Sequence, residues 1–406
     1  MKILCVMGEH NYGDPARGEC YEYVNFMPAL RKLGHQLVFF ESLNRNSYRD
    51  FSDLNRKFLQ LVQAEQPDII FCVLMHYEIW LETFQLVRES TSAILINWST
   101  DDSWKYEQFS KFVAPVFHIF ATTYQDALEK FSGDGRSNAL LTQWAANSMH
   151  LSEPLPAQQC RYKVSFVGTA YGNRTQWIVA LEKCGIHVDC FGHGWENGSV
   201  STEEISEIMR SSIISLNFAD SGMVMQGLVP GRSRQIKARV FEVPGAGGFL
   251  MTEYANGLEN WYRIDEEISV FESPADLAIK INYFLDHPQE RDRIAMAGYI
   301  RTRDEHSYEM RLGKILQIAM QIKDSSHAQH YAVDFAKFDL IEQKHTTGLI
   351  LKLCKYLLQL PCVLIWGKLR GPRAARRILF ELSWRLVGKE TYSVTGWPGR
   401  LFYKES

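Results

Sequence analysis

The apolar residues of the chain follow two rhythms that alternate. Ile3 to Met7 is a short apolar run closed by Gly8, the pattern of a strand buried on both faces. A helical period follows in Tyr23, Phe26, Met27 and Leu30, with Gly34 where a C-terminal cap belongs. Gln36 to Phe40 reads as the next strand and Phe51 to Gln63 as a helix. Pro67-Asp68 then introduces the apolar run Ile69 to Leu74. Ile94 to Asn97 and Val116 to Phe120 complete the series, with helical segments between. Strand and helix in regular alternation predict a doubly wound parallel sheet over residues 1–150.

Residues 151–160 interrupt the pattern with Pro154 and Pro156 and read as a linker. The alternation restarts over 161–324. Strands are expected at Val164 to Val167, Val188 to Phe191, Ile213 to Leu216, Phe249 to Met251 and Ile268 to Phe271. Helices are expected at Asn173 to Lys183, Leu277 to Leu285 and Glu290 to Tyr299. The expected fold is therefore α/β, with two doubly wound Rossmann-like domains facing a cleft and ligands at the carboxyl ends of the strands. Residues 325–406 change character and read as a helical basic tail.

Composition adds bounds rather than detail. The chain has 406 residues, enough for two domains with real cores, and a net charge of −3, which gives no case for nucleic acid as a partner. Eight cysteines show no C-x-x-C pair and no zinc spacing, which suits a reducing, cytoplasmic compartment. No apolar stretch is expected to reach the roughly 18 residues that span a membrane. The segment 344–390 sets Lys352, Lys355, Lys368, Arg370, Arg373, Arg376, Arg377 and Arg385 among leucines. It reads either as helices packed on the domains with a solvated basic side, or as a peripheral contact with the inner face of a membrane.

The richest stretch for chemistry runs from Gly231 to Leu250. A Gly/Ser-containing loop with Arg232, Ser233 and Arg234 leads into a short helix, whose free N–H groups and flanking cations suit a diphosphate. Glu242, further along that helix, could accept hydrogen bonds from both hydroxyls of a ribose, or be a surface carboxylate. Gly168 and Thr169 end the first strand of the second domain, where Gly168 allows close backbone approach, and Arg174 starts its helix; the alternative is an ordinary turn with a surface Arg. In the first domain the loop from Gly8 to Asp14 offers His10 and Asp14 as general bases. Asn97-Trp98-Ser99-Thr100-Asp101-Asp102, past another strand end, offers Asp101, although adjacent acids there also serve as helix caps. His76-Tyr77-Glu78 is a third place, suited to stacking a sugar or capping a helix. Neither half opens with G-x-G-x-x-G, which argues against a dinucleotide oxidoreductase.

One run resembles a known family. Arg239-Val240-Phe241-Glu242 through Gly247-Gly248-Phe249-Leu250-Met251-Thr252-Glu253-Tyr254 is similar to the R-x-F-E-x-x-x-x-G-x-F-L-x-T-x-Y signature of spore-maturation-type (CgeB-like) glycosyltransferases. Val164 to Thr169 and Phe191-Gly192-His193-Gly194-Trp195 resemble the same family's opening strand and third-strand turn. The resemblance implies a GT-B enzyme with a glycosyl transferases group 1 C-terminal domain. That domain would bind a nucleotide-sugar as co-substrate through Gly168, Thr169, Arg174, His193, Arg232, Ser233, Arg234, Arg239 and Glu242. It implies a hexosyltransferase-like, metal-independent reaction with no further cofactor, and a glycan, lipid-linked or small-molecule acceptor, in surface polysaccharide or glycoconjugate synthesis. Many retaining GT-B enzymes carry a second Glu eight residues before the ribose Glu. Arg234 stands there, so the stereochemical course stays open. A nucleotide-sugar epimerase and a catalytically silent nucleotide-sugar-binding scaffold are the alternatives.

Overall fold

The computed structural model describes residues 1–226, 229–325 and 332–406. They fall into two compact units. The first comprises Met1–Thr122, Leu128–Leu140 and Ile315–Ser406, and the second Thr123–Ala127 and Leu141–Lys314.

The first unit is built on six strands: β1 (Lys2–Met7), β2 (Gln36–Glu41), β3 (Ile69–Cys72), β4 (Ile94–Ser99), β5 (Ile119–Thr122) and β6 (Ala139–Leu141). Their order is β2-β1-β3-β4-β5-β6. Pairing from β1 to β5 is parallel, with Ile3 opposite both Leu37 and Ile69. Every residue of β3 is buried, as the continuous apolar run requires of a strand covered on both faces. Because β1 pairs with β2 on one side and β3 on the other, the winding reverses at β1. A crevice opens outside the carboxyl ends of β1 and β3. The segment 114–116 is a helical turn rather than the start of β5, consistent with Pro115 lacking an N–H for the ladder.

The residues from Ile315 on belong to this unit and are not a separate tail, a correction to the boundary at 325. Helix Phe335–Glu342 is tied to the helix Phe51–Glu65 by Arg56, which pairs with Asp339 at 2.7 Å and with Glu342. Lys323 pairs with Asp68, and Tyr403 packs edge-on against Phe51 with centroids 4.9 Å apart. Helix Leu349–Val387 departs from helical geometry at Gly367, where φ is 78°. Its span Leu349–Tyr392 is long and apolar enough to cross a membrane, which corrects the expectation that no stretch would be; Lys352 and Lys355 interrupt the apolar run without ending it.

The second unit holds β7 (Tyr162–Val167), β8 (Asp189–Phe191), β9 (Ser212–Asn217), β10 (Asp220–Gln226), β11 (Val229–Arg234), β12 (Leu250–Glu253) and β13 (Ser269–Phe271). Five of them form a parallel sheet in the order β13-β12-β9-β7-β8, and β10 and β11 form an antiparallel ribbon. Here the winding reverses at β7. Val164, Phe166, Leu181, Ile214, Leu216, Met251 and Ile281 are among its core residues. The 151–160 segment is strapped to this unit rather than free. Ser152 N–H donates to the Gly245 carbonyl at 3.0 Å, and fully buried Arg291 donates to the Leu155, Ile213 and Ser212 carbonyls at 2.8, 2.7 and 2.8 Å.

Arg291 thus donates to three carbonyls at once. Arg291→Met removes all three bonds and should cost roughly 3 kcal/mol or more. Thermal unfolding should begin at least about 6 °C lower. An unchanged melting curve would show that these bonds carry no stability.

Candidate functional site

In the second unit, the carboxyl end of β7 gathers most of the residues singled out in the sequence. Gly168 donates its N–H to the Phe191 carbonyl at 2.8 Å and accepts from Trp195 Nε1 at 2.8 Å, so the loops after β7 and β8 are sewn together. The turn demands glycine at 192, where φ is 123° and a Cβ would lie 2.4 Å from the Gly168 oxygen. His193 sits exposed in that second loop, and its carbonyl accepts from Ala170 N–H at 2.9 Å. Thr169 is exposed, and its carbonyl accepts from Arg174 Nη1 at 2.8 Å. Arg174 itself is buried, with its guanidinium 4.2 Å from the Tyr171 ring centroid. Burial holds its pKa below the ordinary arginine value.

Residues 231–234 differ from expectation. Arg232, Ser233 and Arg234 lie on β11 of the ribbon rather than in a loop at the helix start. Alternation along the strand buries Ser233 and points the flanking arginines to carboxylates. Arg232 Nη2 lies 3.1 Å from Asp220 Oδ2, and Arg234 Nε lies 3.1 Å from Glu253 Oε1. The short helix Arg239–Gly245 follows. Arg239 Nε donates to the Val167 carbonyl at 3.1 Å, which pins this helix to the end of β7, and its Nη1 pairs with Glu242. Glu242 is partly exposed, and it is the Oε2 oxygen that meets Arg239. The Gly-rich turn after the helix has a packing role: a Cβ on Gly247 would lie 2.5 Å from the Ser152 oxygen, and one on Gly248 2.6 Å from that of Met209.

In the first unit, Asp101 follows β4 and accepts from the Thr100 hydroxyl at 3.4 Å. It starts the helix Asp102–Lys105 through its carbonyl, without a side-chain cap. Asp102 is fully buried and accepts from the Ser99 and Ser110 hydroxyls, a structural acid. Asp14 is committed locally, accepting from Ala16 N–H at 3.1 Å and pairing with Arg17 at 3.4 Å. His10 is half-buried, with Nδ1 4.0 Å from Glu9 Oε2. Glu78 is buried and accepts from the Met75 and His76 N–H groups at 2.6 and 2.8 Å, which settles it as a loop organiser.

The structure adds a group that the sequence did not point to. Glu22, in the first turn of helix Tyr21–Lys32, comes within electrostatic reach of Asp101 and Lys105. Burial pushes its carboxyl up to about 6, and the Asp101 charge adds to that shift. Read along the chain, Glu22 looks like an ordinary acid in a helix's first turn. Only the folding of β4 against β3, and β3 against β1, brings it near Asp101.

Residues 174–317 match the family described as "Glycosyl transferase-like". Solved structures show the fold. Sucrose-phosphate synthase from Thermosynechococcus elongatus superposes with a TM-score of 0.58 at 11% identity, covering 80% of this chain and 100% of that one. A glycosyltransferase from Rickettsia africae gives 0.56 at 11%, covering 80% and 99%. Anabaena HepE in complex with UDP-glucose gives 0.52 at 14%, covering 80% and 100%. No curated protein matches the chain at a significant level. The chain thus has the fold of these structures, and its residues 174–317 are similar to the glycosyl transferase-like family.

The Glu22 carboxyl yields a pH prediction. The folded protein holds its proton between pH 4.5 and about 6, where the unfolded chain has released it. Stability therefore falls as pH rises through that window, by about 2 kcal/mol for this group. Glu22→Gln removes the penalty. It should raise stability by up to about 2 kcal/mol at pH 8 and leave it unchanged at pH 4. Denaturant titrations at both pH values check this, and an equal effect at each would contradict it.

Proposed function

We propose that the chain transfers a sugar from a nucleotide-sugar to an acceptor hydroxyl, with the donor handled by the second unit and the acceptor by the first. The carrying observation is that the glycosyl transferase-like match spans the segment whose Arg239–Glu242 pair is pinned to the end of β7. In this reading Glu242 accepts hydrogen bonds from the ribose. Arg174, Arg232, Arg234 and Arg239 surround the diphosphate with positive charge as the bond from the anomeric carbon to its oxygen breaks. Gly168, Thr169 and His193 line the same two loops. HepE was solved with UDP and UDP-glucose, which supports a uridine nucleotide-sugar as the first donor to try.

The acceptor oxygen forms the new bond to the anomeric carbon as its proton passes to a base. Asp101 is that base in an inverting course, with His10 as the second candidate. Titration calorimetry with UDP-glucose should show Glu242→Ala weakening the donor roughly 10- to 100-fold. Asp101→Asn should keep donor affinity and lower turnover by roughly 10² to 10⁴. Unchanged donor affinity in Glu242→Ala would remove the ribose assignment. Loss of turnover in His10→Ala but not in Asp101→Asn would move the base.

A second reading concerns where the enzyme works. On helix Leu349–Val387, Leu351, Leu358 and Cys362 pack inward on a small core with Leu379 and Phe402. The opposite face presents Leu349, Leu353, Leu357, Leu360 and Leu364 to solvent, each more than half exposed. No acidic residue occurs from Gln343 to Phe380, while Lys344, Lys352, Lys368, Arg370, Arg373 and Arg377 do. An apolar stripe with an all-basic surround matches an anionic bilayer surface, and the packed inner face favours a helix lying on the membrane over one crossing it. The protein should sediment with phosphatidylglycerol-containing vesicles and not with purely neutral ones, and Leu353→Asp combined with Leu360→Asp should abolish it. Equal recovery in the supernatant with both vesicles would contradict this.

A further inference from the structure

A cavity of about 510 Å³ lies wholly within the first unit. It is lined by the loop after β1 (Tyr12 to Asp14, and Arg17), by Leu43, Arg45 and Asn46 after β2, by Met75 and His76 after β3, and by residues of the C-terminal segment that include Arg373 and Arg376. It therefore occupies the carboxyl ends of the strands at which the sheet's winding reverses, where open α/β sheets take ligands. A backbone constraint shapes one wall. Gly13 has φ of 69°, and a Cβ there would lie 2.3 Å from the Leu43 oxygen, so the β1 loop is pressed against the end of β2.

The lining is cationic, and its cations outnumber its carboxylates. Arg17, Arg45, Arg373, Arg376 and Lys404 stand against two carboxylates, Asp14 and Glu405. Asp14 pairs with Arg17, and Glu405 reaches Lys355 at 3.7 Å. Arg45, Arg373, Arg376 and Lys404 have no ion pair among the described residues. Arg45 donates to the Ser42 carbonyl at 2.7 Å and Arg376 to the Tyr77 hydroxyl at 3.4 Å, but the Nε of each is buried without an acceptor among the described residues. Two guanidinium groups on one cavity wall, without carboxylate partners among the described residues, are matched by an anion that offers several oxygens. His76, half-buried on the same wall, has its pKa held well below the ordinary value by desolvation first and then by the charges of Lys105, Arg376 and Arg45, so it is a neutral neighbour.

We propose that this cavity binds a phosphate or diphosphate group carried by the acceptor, with Arg45 and Arg376 as its principal donors and Arg373 at its rim. The word acceptor rests on the transferase reading; the anion site does not. The group is either part of a lipid-linked acceptor reached from a membrane surface or part of a soluble phosphorylated sugar, since Arg373 and Arg376 come from the same helix that carries the exposed leucines.

The test is calorimetric titration of the full chain with inorganic pyrophosphate in saturating UDP, which keeps the probe off the second unit's nucleotide residues. Binding should persist in UDP and weaken at least tenfold in Arg376→Gln. Arg373→Gln, at an exposed position with no ion pair, guards against a folding defect and should weaken it by a smaller factor. Pyrophosphate binding that is absent, that UDP abolishes, or that survives both arginine substitutions overturns the proposal. Failure of UDP-glucose to bind at all would sink the transferase reading alone and leave the pyrophosphate result standing. Recruitment to neutral vesicles doped with a polyprenyl diphosphate, lost in Arg376→Gln, assigns the lipid source. Pyrophosphate binding without such recruitment assigns the soluble one.

Discussion

The constraint on which the rest of the structure depends is the reversal of winding at the first strand of each sheet. A parallel strand needs a crossover to reach its neighbour, and right-handed crossovers on both faces carry the chain outward in opposite directions from β1 and from β7. At those two strands the connecting loops part and leave a crevice at the carboxyl ends. Gly168 and the Arg239–Glu242 pair lie at one such end, and Arg45 and His76 line a cavity at the other. The apolar cores below them, in strands buried on both faces, keep these loops on rigid supports.

The two crevices solve their electrostatics differently. In the second unit Arg232, Arg234 and Arg239 each have a carboxylate, in Asp220, Glu253 and Glu242. On the transferase proposal, a diphosphate there would exchange partners with groups that these carboxylates already orient. In the first unit Arg45 and Arg376 have no carboxylate partner among the described residues, which is what the anion proposal rests on. Glu22 belongs with these. A carboxyl whose burial opposes its charge near neutral pH lowers stability, and such expense concentrates where a group has chemistry to do.

Much of this was legible in the sequence because strands buried on both faces leave continuous apolar runs, as in Ile3 to Met7 and Ile69 to Leu74. The Arg239–Glu242 segment was legible as a motif. What escaped depends on contacts distant along the chain. Gly231 mimics a turn, yet its neighbours pair with β10 in a ribbon, because cross-strand partners rather than local propensity decide strand formation. The basic segment after residue 324 reads as an appendage until Phe338 stacks on Trp80 and Asp339 meets Arg56. Its apolar run went unnoticed because two lysines break it in sequence, while on the helix Leu349, Leu353, Leu357, Leu360 and Leu364 form one uncharged face.

The account stands or falls on the nucleotide residing at the carboxyl end of β7. Hydrogen exchange with and without UDP-glucose tests that directly, amide by amide. The account predicts slowed exchange over 166–174 and 234–246 on adding the nucleotide-sugar, with 349–366 unaffected. No protection in those two segments, or protection confined to the first unit, would contradict it.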